Sequence, residues 1–339
     1  MDEDFGSIEE LGLDHAPDPE APPPQPVTLG ASTMTLTANT SVEGHIFSKV
    51  YPADHPVRFV RSGQYMIDNP VLSVPSLIGD GVLPEEGSMI CGGKIGMGKS
   101  MIVMNTLYDC CAGEPVMGLP ELEVPRPLRV LYIEKEVQGR GVNKRFNDIH
   151  RLKQRSIAPK NFMILTDMET ELMIQVDAKN TTCHAAEQTW MDLIMEFRPD
   201  IITGDPVSRM HTMSPGDEGE MMSVWGRMVR IRQVAKRLGN PFAWILVHHF
   251  RKSAPDVAIE EGLDDFRGSS VLPQSVDTRL LFRTVPGLDP IGRRHNFKRM
   301  TFAVVRQGEP VNDIIFWQPT NIPIPIFYRR GEAPEAAFG

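Results

Sequence analysis

One short stretch constrains the fold of this chain more than any other feature. Residues 93–100 read GKIGMGKS and fit the pattern G-x-x-x-x-G-K-S/T without a mismatch. An apolar segment typical of a strand precedes this stretch, and an apolar helical pattern follows it. Glycines at such a turn let successive backbone N–H groups surround a phosphate, and the N-terminus of the helix adds its positive dipole end. The stretch therefore predicts a phosphate loop that binds a nucleoside triphosphate.

The residues of this phosphate loop have separate expected roles. Lys99 should reach the β- and γ-phosphates of ATP, and the hydroxyl of Ser100 should ligate Mg²⁺. We expect the nucleotide to be bound by Gly93, Gly96, Met97, Gly98, Lys99, Ser100 and Met101. The alternative interpretation is a glycine-rich turn with a chance Lys-Ser pair.

The composition divides the 339 residues into four predicted parts. Residues 1–35 are acidic and proline-rich and are predicted to be disordered. Residues 36–64 are an entry segment, residues 65–325 form the ATPase domain, and residues 326–339 are a flexible C-terminal tail. The net charge is −9, but residues 1–30 contain eight of the 44 acidic residues and no Lys or Arg, so the rest is nearly neutral. This acidic N-terminal tail is either a docking site for a protein partner or a solubilising leader.

Strand and helix patterns alternate through the predicted ATPase domain. After the phosphate loop, four apolar strands are indicated at residues 128–136, 161–167, 199–206 and 242–250. Amphipathic helical patterns lie between them. This alternation is typical of an α/β fold with a mostly parallel central sheet and helices on both faces. Two later segments, residues 276–285 and 297–307, are predicted to be antiparallel edge strands.

Three carboxylates stand at the ends of these strands. Asp205 follows an apolar segment and is positioned like the aspartate that holds Mg²⁺ in phosphate-loop ATPases. Glu134 and Glu136 stand at a strand tip, where a carboxylate could orient and polarise the attacking water. The strand period puts both glutamates on one face, and Glu136 is preferred because it is nearer to the strand end. The alternatives are a turn residue for Asp205 and solvated end charges for the glutamates.

Histidine and arginine residues complete the candidate site. His248 and His249 follow a buried strand, where a histidine could sense the γ-phosphate or could instead bond only to local backbone. Arg267 and Arg306 are candidates for neutralising charge during phosphoryl transfer, in their own chain or in a neighbouring subunit. For each arginine, a surface position without a catalytic role is the alternative.

Five segments in this order resemble the RecA-like ATPases of the plasmid RepA hexameric helicase type and, more distantly, the replicative helicases of bacteria and phages. The segments are GGKIGMGKS, VLYIEKE, IITGDP, ILVHHFRK and FRGSSVLPQSVDTRLLFR, and the resemblance covers residues 65–320. It implies a RecA-like P-loop core and a homo-oligomeric ring, hexameric in the relatives. It also implies ATP sites between the subunits and single-stranded DNA in the central channel.

The resemblance assigns roles to individual residues through the matching motifs. Glu136 matches the catalytic glutamate, Asp205 the aspartate that holds Mg²⁺, and His249 the γ-phosphate sensor. Arg306 aligns with the arginine finger that relatives supply across the subunit interface. Arg267 belongs to a motif that is associated with the DNA-side loops.

Two candidate DNA loops depart from the family pattern in charge. Residues 253–266 contain five acidic residues, which repel phosphate, and only Arg251, Lys252 and Arg267 flank them with the opposite sign. The other candidate loop, residues 208–220, is also poor in basic residues. These charges weaken the expectation of DNA translocation and leave the expectation of ATP hydrolysis unchanged.

These observations lead to three hypotheses about function. The first is a ring-forming, Mg²⁺-dependent ATPase that moves along single-stranded DNA as a helicase in plasmid or phage replication. The second is an accessory RecA-like ATPase, a recombination mediator or loader, that is driven by a protein partner rather than by DNA. The third is an assembly protein that binds ATP without hydrolysing it.

The sequence also predicts where the protein acts. No stretch approaches the ~18 apolar residues of a membrane span, and the N-terminus is acidic, unlike that of a signal peptide. The four cysteines form no C-x-x-C pair, which predicts free thiols and no zinc site. We therefore expect a protein in the cytoplasm of a bacterial host cell, without contact with a membrane.

Overall fold

The computed structural model of the chain describes most of its central part. The described residues are 41–42, 45–46, 62–69, 75–137, 139–153, 159–166, 184–211, 213–214, 216–249, 270–284 and 296–318. The chain divides into two compact units, Met1–Val71 and Leu72–Gly339. The acidic N-terminal tail and the C-terminal tail lie outside the described residues, and the predicted domain boundaries stay predictions.

The described part of the first unit contains two short strands and one helix. β1 (Ser41–Val42) and β2 (His45–Ile46) pair antiparallel. α1 (Gly63–Asp68) begins after Ser62, whose hydroxyl accepts the N–H of Tyr65 at 3.0 Å. This bond satisfies one of the N–H groups that the first turn of a helix leaves without a partner.

In the residues that the structure describes, the second unit is centred on a sheet of eight strands. Its strands are β5 (Ser88–Gly93), β6 (Val130–Glu134), β7 (Phe162–Leu165), β8 (Ile201–Asp205), β9 (Ala243–His249), β10 (Thr278–Thr284), β11 (Asn296–Val305) and β12 (Ile314–Gln318). Their order is β12-β11-β10-β5-β9-β8-β6-β7. The strands from β10 to β7 are parallel, whereas β11 and β12 pair antiparallel. A separate antiparallel pair consists of β3 (Ser76–Ile78) and β4 (Leu83–Pro84).

Helices cover both faces of this sheet. They are α2 (Lys99–Ala112), α3 (Gly139–Leu152), α4 (His184–Phe197), α5 (Glu218–Arg237) and α6 (Val271–Ser275). Met89 and Cys91 of β5 belong to the same apolar cluster as Met104 of α2. Ile90, between them, belongs to the cluster that contains Met228 of α5. Successive side chains of a strand point to opposite faces, so β5 is buried on both sides, as parallel strands usually are.

The structure confirms the predicted α/β fold class, with a mostly parallel sheet, helices on both faces and antiparallel strands at one edge. The prediction of two edge strands was wrong, because β10 pairs parallel with β5 and antiparallel with β11, and β11 in turn pairs antiparallel with β12. Leu280 and Phe282 are buried in the cluster of α2, and Leu281 is buried in the cluster of α5. β10 is therefore buried on both faces as well as paired on both sides, as strands inside an α/β sheet usually are.

Two further findings concern membranes and thiols. Within the described part of the chain, no helix is long and apolar enough to cross a membrane. Cys91, Cys110 and Cys111 are buried free thiols, and burial raises their pKa, which makes them unreactive. Cys183 lies outside the described residues.

Candidate nucleotide site

The predicted site residues collect at the edge of the sheet where the parallel strands end. β9 lies between β5 and β8, and β6 lies on the far side of β8. Gly93 pairs with His249, and Asp205 pairs with Glu134, across neighbouring strands. Ligands of open α/β sheets bind beyond the carboxyl ends of the strands. The strand order thus brings the phosphate loop, a histidine and two carboxylates to one place.

The phosphate loop between β5 and α2 has the backbone shape that its sequence predicts. Gly96 and Gly98 both have a φ of 80°, in the left-handed region that glycine adopts without steric cost. A Cβ atom at Gly96 would meet no atom within 4 Å, so this side of the loop is open. Gly98 is the N-cap of α2 and has no side chain that could accept the first N–H groups of the helix. These N–H groups fit an anion, and the loop therefore fits a phosphate.

Lys99 is buried and contacts the loop and β9. Its Nζ donates to the carbonyl oxygens of Gly93 at 2.9 Å and Lys94 at 3.0 Å, and it lies 3.1 Å from Nδ1 of His249. An ammonium can only donate, so Nδ1 accepts and the ring proton of neutral His249 belongs on Nε2. Burial lowers the pKa of Lys99, while the carboxylates of Asp205 and Glu136 act in the opposite direction.

Ser100 and Asp205 form a pair of oxygen groups beside the loop. Asp205 is buried and accepts hydrogen bonds from the hydroxyls of Tyr132 and Ser100. Burial raises the pKa of Asp205, and these two hydrogen bonds act against that increase. No group of three or more metal-binding side chains occurs among the described residues. Mg²⁺ beside a nucleotide commonly takes only one or two protein oxygens, so the Ser100–Asp205 pair fits this ion.

The structure separates the two glutamates that the strand period placed on one face. β6 ends at Glu134, so the strand period does not extend to Glu136, and that expectation was wrong. The side chain of Glu134 is 1% exposed, whereas that of Glu136 is 45% exposed, with Oε2 lying 3.8 Å from Nε2 of His249. Of the two carboxylates, only that of Glu136 is open to a water molecule.

The carboxylate of Glu134 has partners inside the protein. Oε1 accepts the N–H groups of Glu136 at 2.9 Å and Val137 at 3.1 Å, and Oε2 lies 3.5 Å from Nη1 of Arg145. Burial raises the pKa of Glu134 to about 7, and the charge of Asp205 adds to this effect.

Three residues near the site were missed by sequence reasoning: Tyr132, Arg145 and Lys298. Lys298 on β11 is buried, and its Nζ donates to the carbonyl oxygen of Met97 in the phosphate loop. It is separated from Met97 by 201 positions along the chain, and no local motif marks it. The period of β6 could have indicated Tyr132, because it is two residues from Glu134 and shares its face.

Arg306 lies at the opposite edge of the sheet from the phosphate loop. Its N–H donates to the carbonyl oxygen of Asp277 at 3.1 Å, and its Nη2 donates to that of Gln274. The Asp277 carboxylate accepts the N–H of Ser88, the first residue of β5, whereas the loop follows Gly93, the last. Five steps of about 3.3 Å, or roughly 17 Å, separate these two ends. Arg306 therefore does not lie beside the phosphate loop of its own chain.

The candidate DNA-side residues are only partly described. Outside the described residues lie Arg251, Lys252, Arg267 and the acidic segment 253–266. In the other candidate loop, Arg209 is exposed and His211 is buried. Burial lowers the pKa of His211, which therefore adds no positive charge near neutral pH.

Comparison with known proteins gives a family and a distant structural likeness. Residues 60–255, more than half of the chain, match the family described as AAA domain. No curated protein matches the chain. Among solved structures, one described as an ATPase domain is similar with 13% sequence identity and a TM-score of 0.46, over 68% of this chain and 81% of that chain.

Proposed function

Because this chain belongs to the AAA domain family of ATPases, we propose that it is a Mg²⁺-dependent, ring-forming motor on single-stranded DNA. In this proposal it is a helicase of the RepA type that acts in plasmid or phage replication. The observation that carries the proposal is a series of contacts across the strand ends, from Lys99 to His249 and from His249 to Glu136. These contacts link the expected phosphate ligand to the exposed carboxylate through one histidine.

The phosphate loop binds the triphosphate of ATP in the first step. The loop N–H groups and the ammonium of Lys99 contact phosphate oxygens, which are stronger acceptors than the carbonyls of Gly93 and Lys94. Ser100 and Asp205 would hold Mg²⁺, which neutralises phosphate charge and acts as a Lewis acid when it is bound. Lys99 therefore exchanges neutral acceptors for charged ones when the substrate enters.

Glu136 orients the attacking water, and His249 responds to the γ-phosphate. The carboxylate of Glu136 is exposed beside the loop, which suits a group that accepts a proton from water. When Lys99 turns to the phosphates, Nδ1 of His249 loses its donor and takes a new partner. Since β9 leads into a candidate DNA loop, this change of partner can couple hydrolysis to DNA movement.

The location of Arg306 supports a role in a neighbouring subunit. Arg306 lies beside the end of β5 that is remote from the phosphate loop, and the two ends of β5 are roughly 17 Å apart by the strand rise. In its own chain it is therefore not placed to contact ATP at that loop. In a closed ring, an arginine at one edge of each subunit can reach the next subunit's site, where it neutralises charge that develops on the phosphates. Ring formation would thus complete each ATP site.

A second candidate function follows from the charge of the DNA-side loops. Acidic residues dominate residues 253–266, and the described part of residues 208–220 adds Asp217, Glu218 and Glu220. Such loops repel a phosphate backbone. This charge favours an accessory ATPase, a recombination mediator or loader, whose hydrolysis is driven by a protein partner.

The test is ATP hydrolysis by the purified protein with and without single-stranded DNA. We expect DNA to stimulate hydrolysis severalfold and Glu136→Gln to lower kcat at least a hundredfold while ATP still binds. Glu123→Gln removes the same charge from an exposed position away from the site and is the matched control. A strand-displacement assay then measures unwinding. Hydrolysis that is indifferent to DNA contradicts the helicase proposal and favours the partner-driven ATPase.

A further inference from the structure

The buried carboxylate of Glu134 is hydrogen-bonded to the backbone at Glu136. Its Oε1 accepts two successive N–H groups, from Glu136 and Val137, at 2.9 and 3.1 Å. One oxygen therefore fixes two peptide groups at the point where the chain leaves β6. The side chain of Glu136 extends from this fixed backbone, so its direction depends on Glu134.

The second oxygen of Glu134 connects the turn at Glu136 and Val137 to helix α3 through an ion pair with Arg145. Nη1 of Arg145 lies 3.5 Å from Oε2, and the side chain of Arg145 is 31% exposed. The guanidinium offsets part of the negative charge that Glu134 and Asp205 place next to each other in register. The turn is thus held from the strand through two N–H groups and from α3 through one ion pair.

A simple cap for the turn would not require a charge at this position. A neutral side-chain oxygen, as in Asn or Ser, accepts N–H groups without the cost of burying a carboxylate beside a second carboxylate. A carboxyl group offers two oxygens, so Oε1 can accept both N–H groups while Oε2 pairs with Arg145, and the turn is held more rigidly from two sides. Rigid support matters where a displacement of about 1 Å can reduce a rate a hundredfold.

We infer that Glu134 is a positioning residue that fixes Glu136 against the phosphate loop, and that Arg145 holds Glu134 in place. This inference rests on the proposed role of Glu136 in hydrolysis. Glu134 contacts neither substrate nor water in this assignment and acts only through the turn at Glu136.

The test compares Glu134→Ala and Glu134→Gln with wild type in steady-state hydrolysis and in ATP binding. We expect Ala to lower kcat by about 10- to 100-fold with little change in ATP affinity, since only the turn at Glu136 is released. Gln keeps an oxygen that can accept both N–H groups, so we expect it to lower kcat less than Ala. A loss of ATP affinity as large as the loss of kcat would indicate general damage and overturn the inference.

A double-mutant cycle shows whether Glu134 acts through Glu136. In a Glu136→Ala background, single-turnover hydrolysis should be unchanged by the further substitution Glu134→Ala, because the group that was positioned is gone. Equal losses in both backgrounds would mean independent action and would overturn the inference. If Glu134→Ala fails to fold, the same cycle with Arg145→Gln decides, and an additive loss there counts equally against it.

Failure of the inference and failure of the proposed function give different results. If Glu136→Gln retains full turnover, the proposed role of Glu136 is wrong, and with it the inference. If Glu136→Gln abolishes turnover while both Glu134 variants hydrolyse ATP like wild type, only the inference is wrong.

Discussion

Replacement of Lys298 by methionine should weaken ATP binding about tenfold without unfolding the protein. Lys298 is 6% exposed, and its Nζ donates to the carbonyl oxygen of Met97. A trans peptide is planar, so the C=O of Met97 and the N–H of Gly98 point in opposite directions. By holding the carbonyl outward, Lys298 directs the N–H of Gly98 into the loop, where a phosphate oxygen would accept it.

The magnitude follows from the bond that is lost. A hydrogen bond from a charged donor contributes about 1.5–3 kcal/mol. Methionine keeps much of the apolar stem of the lysine, so little packing is lost, and removal of a buried charge returns some stability. If roughly half of the upper value, about 1.4 kcal/mol, is lost from the orientation of the loop for phosphate, the Kd for ATP rises about tenfold.

Calorimetric titration with ATP measures this change, and urea unfolding checks the fold. Lys160→Met removes an exposed lysine on the same chain and serves as the control. We expect the control to bind ATP with the wild-type Kd. An unchanged Kd in Lys298→Met, with the fold intact, would refute the argument that Lys298 orients the N–H of Gly98.

The same variant should change how stability depends on pH. Burial lowers the pKa of Lys298 below its ordinary value of 10.5, so between the lowered value and 10.5 the unfolded chain binds more protons than the folded one. In that window the free energy of unfolding attributable to this group rises with pH. We expect the free energy of unfolding of Lys298→Met to rise less with pH on the alkaline side than that of wild type. Urea unfolding at several pH values measures this difference. An identical pH dependence would mean that Lys298 is not desolvated in solution.

Three further predictions concern the loop, the metal pair and the histidine. Gly98→Ala should lower the free energy of unfolding by about 1–2 kcal/mol, because φ is 80° there. The control Gly226→Ala lies inside α5 with open space around it and should raise that free energy by up to about 1 kcal/mol. Thermal unfolding measures both changes. Tyr132→Phe removes a hydroxyl that donates to buried Asp205 and should cost about 1–3 kcal/mol in urea unfolding, and unchanged stability would contradict that contact. His249→Ala should bind ATP with near wild-type affinity but lose stimulation by single-stranded DNA in hydrolysis assays, and full stimulation would exclude a coupling role.

Local sequence signals predicted the features that depend on neighbouring residues. The phosphate loop is a strand, a turn and a helix N-terminus within one short stretch, and glycine at positions 96 and 98 is required by the backbone itself. The alternation of strands and helices predicted a mostly parallel sheet for the same reason, since each pattern extends over a few turns or strand residues. Ser100 and Asp205, which local patterns singled out separately, lie beside each other because the carboxyl ends of parallel strands share one edge.

Tertiary structure decided the features that depend on which distant segments meet. The period of a strand predicted that Glu134 and Glu136 share a face, but β6 ends at Glu134, and burial then gave these two glutamates different environments. Lys298 reaches the phosphate loop only because β11 pairs with β10 and β10 pairs with β5. The position of Arg306 at the far edge follows from the same pairing. By itself, the sequence determined that the chain has a phosphate loop on an α/β core, because those signals are local. The order and pairing of the strands decided which lysine, carboxylate and tyrosine surround that loop, because such contacts form only when distant segments pack together.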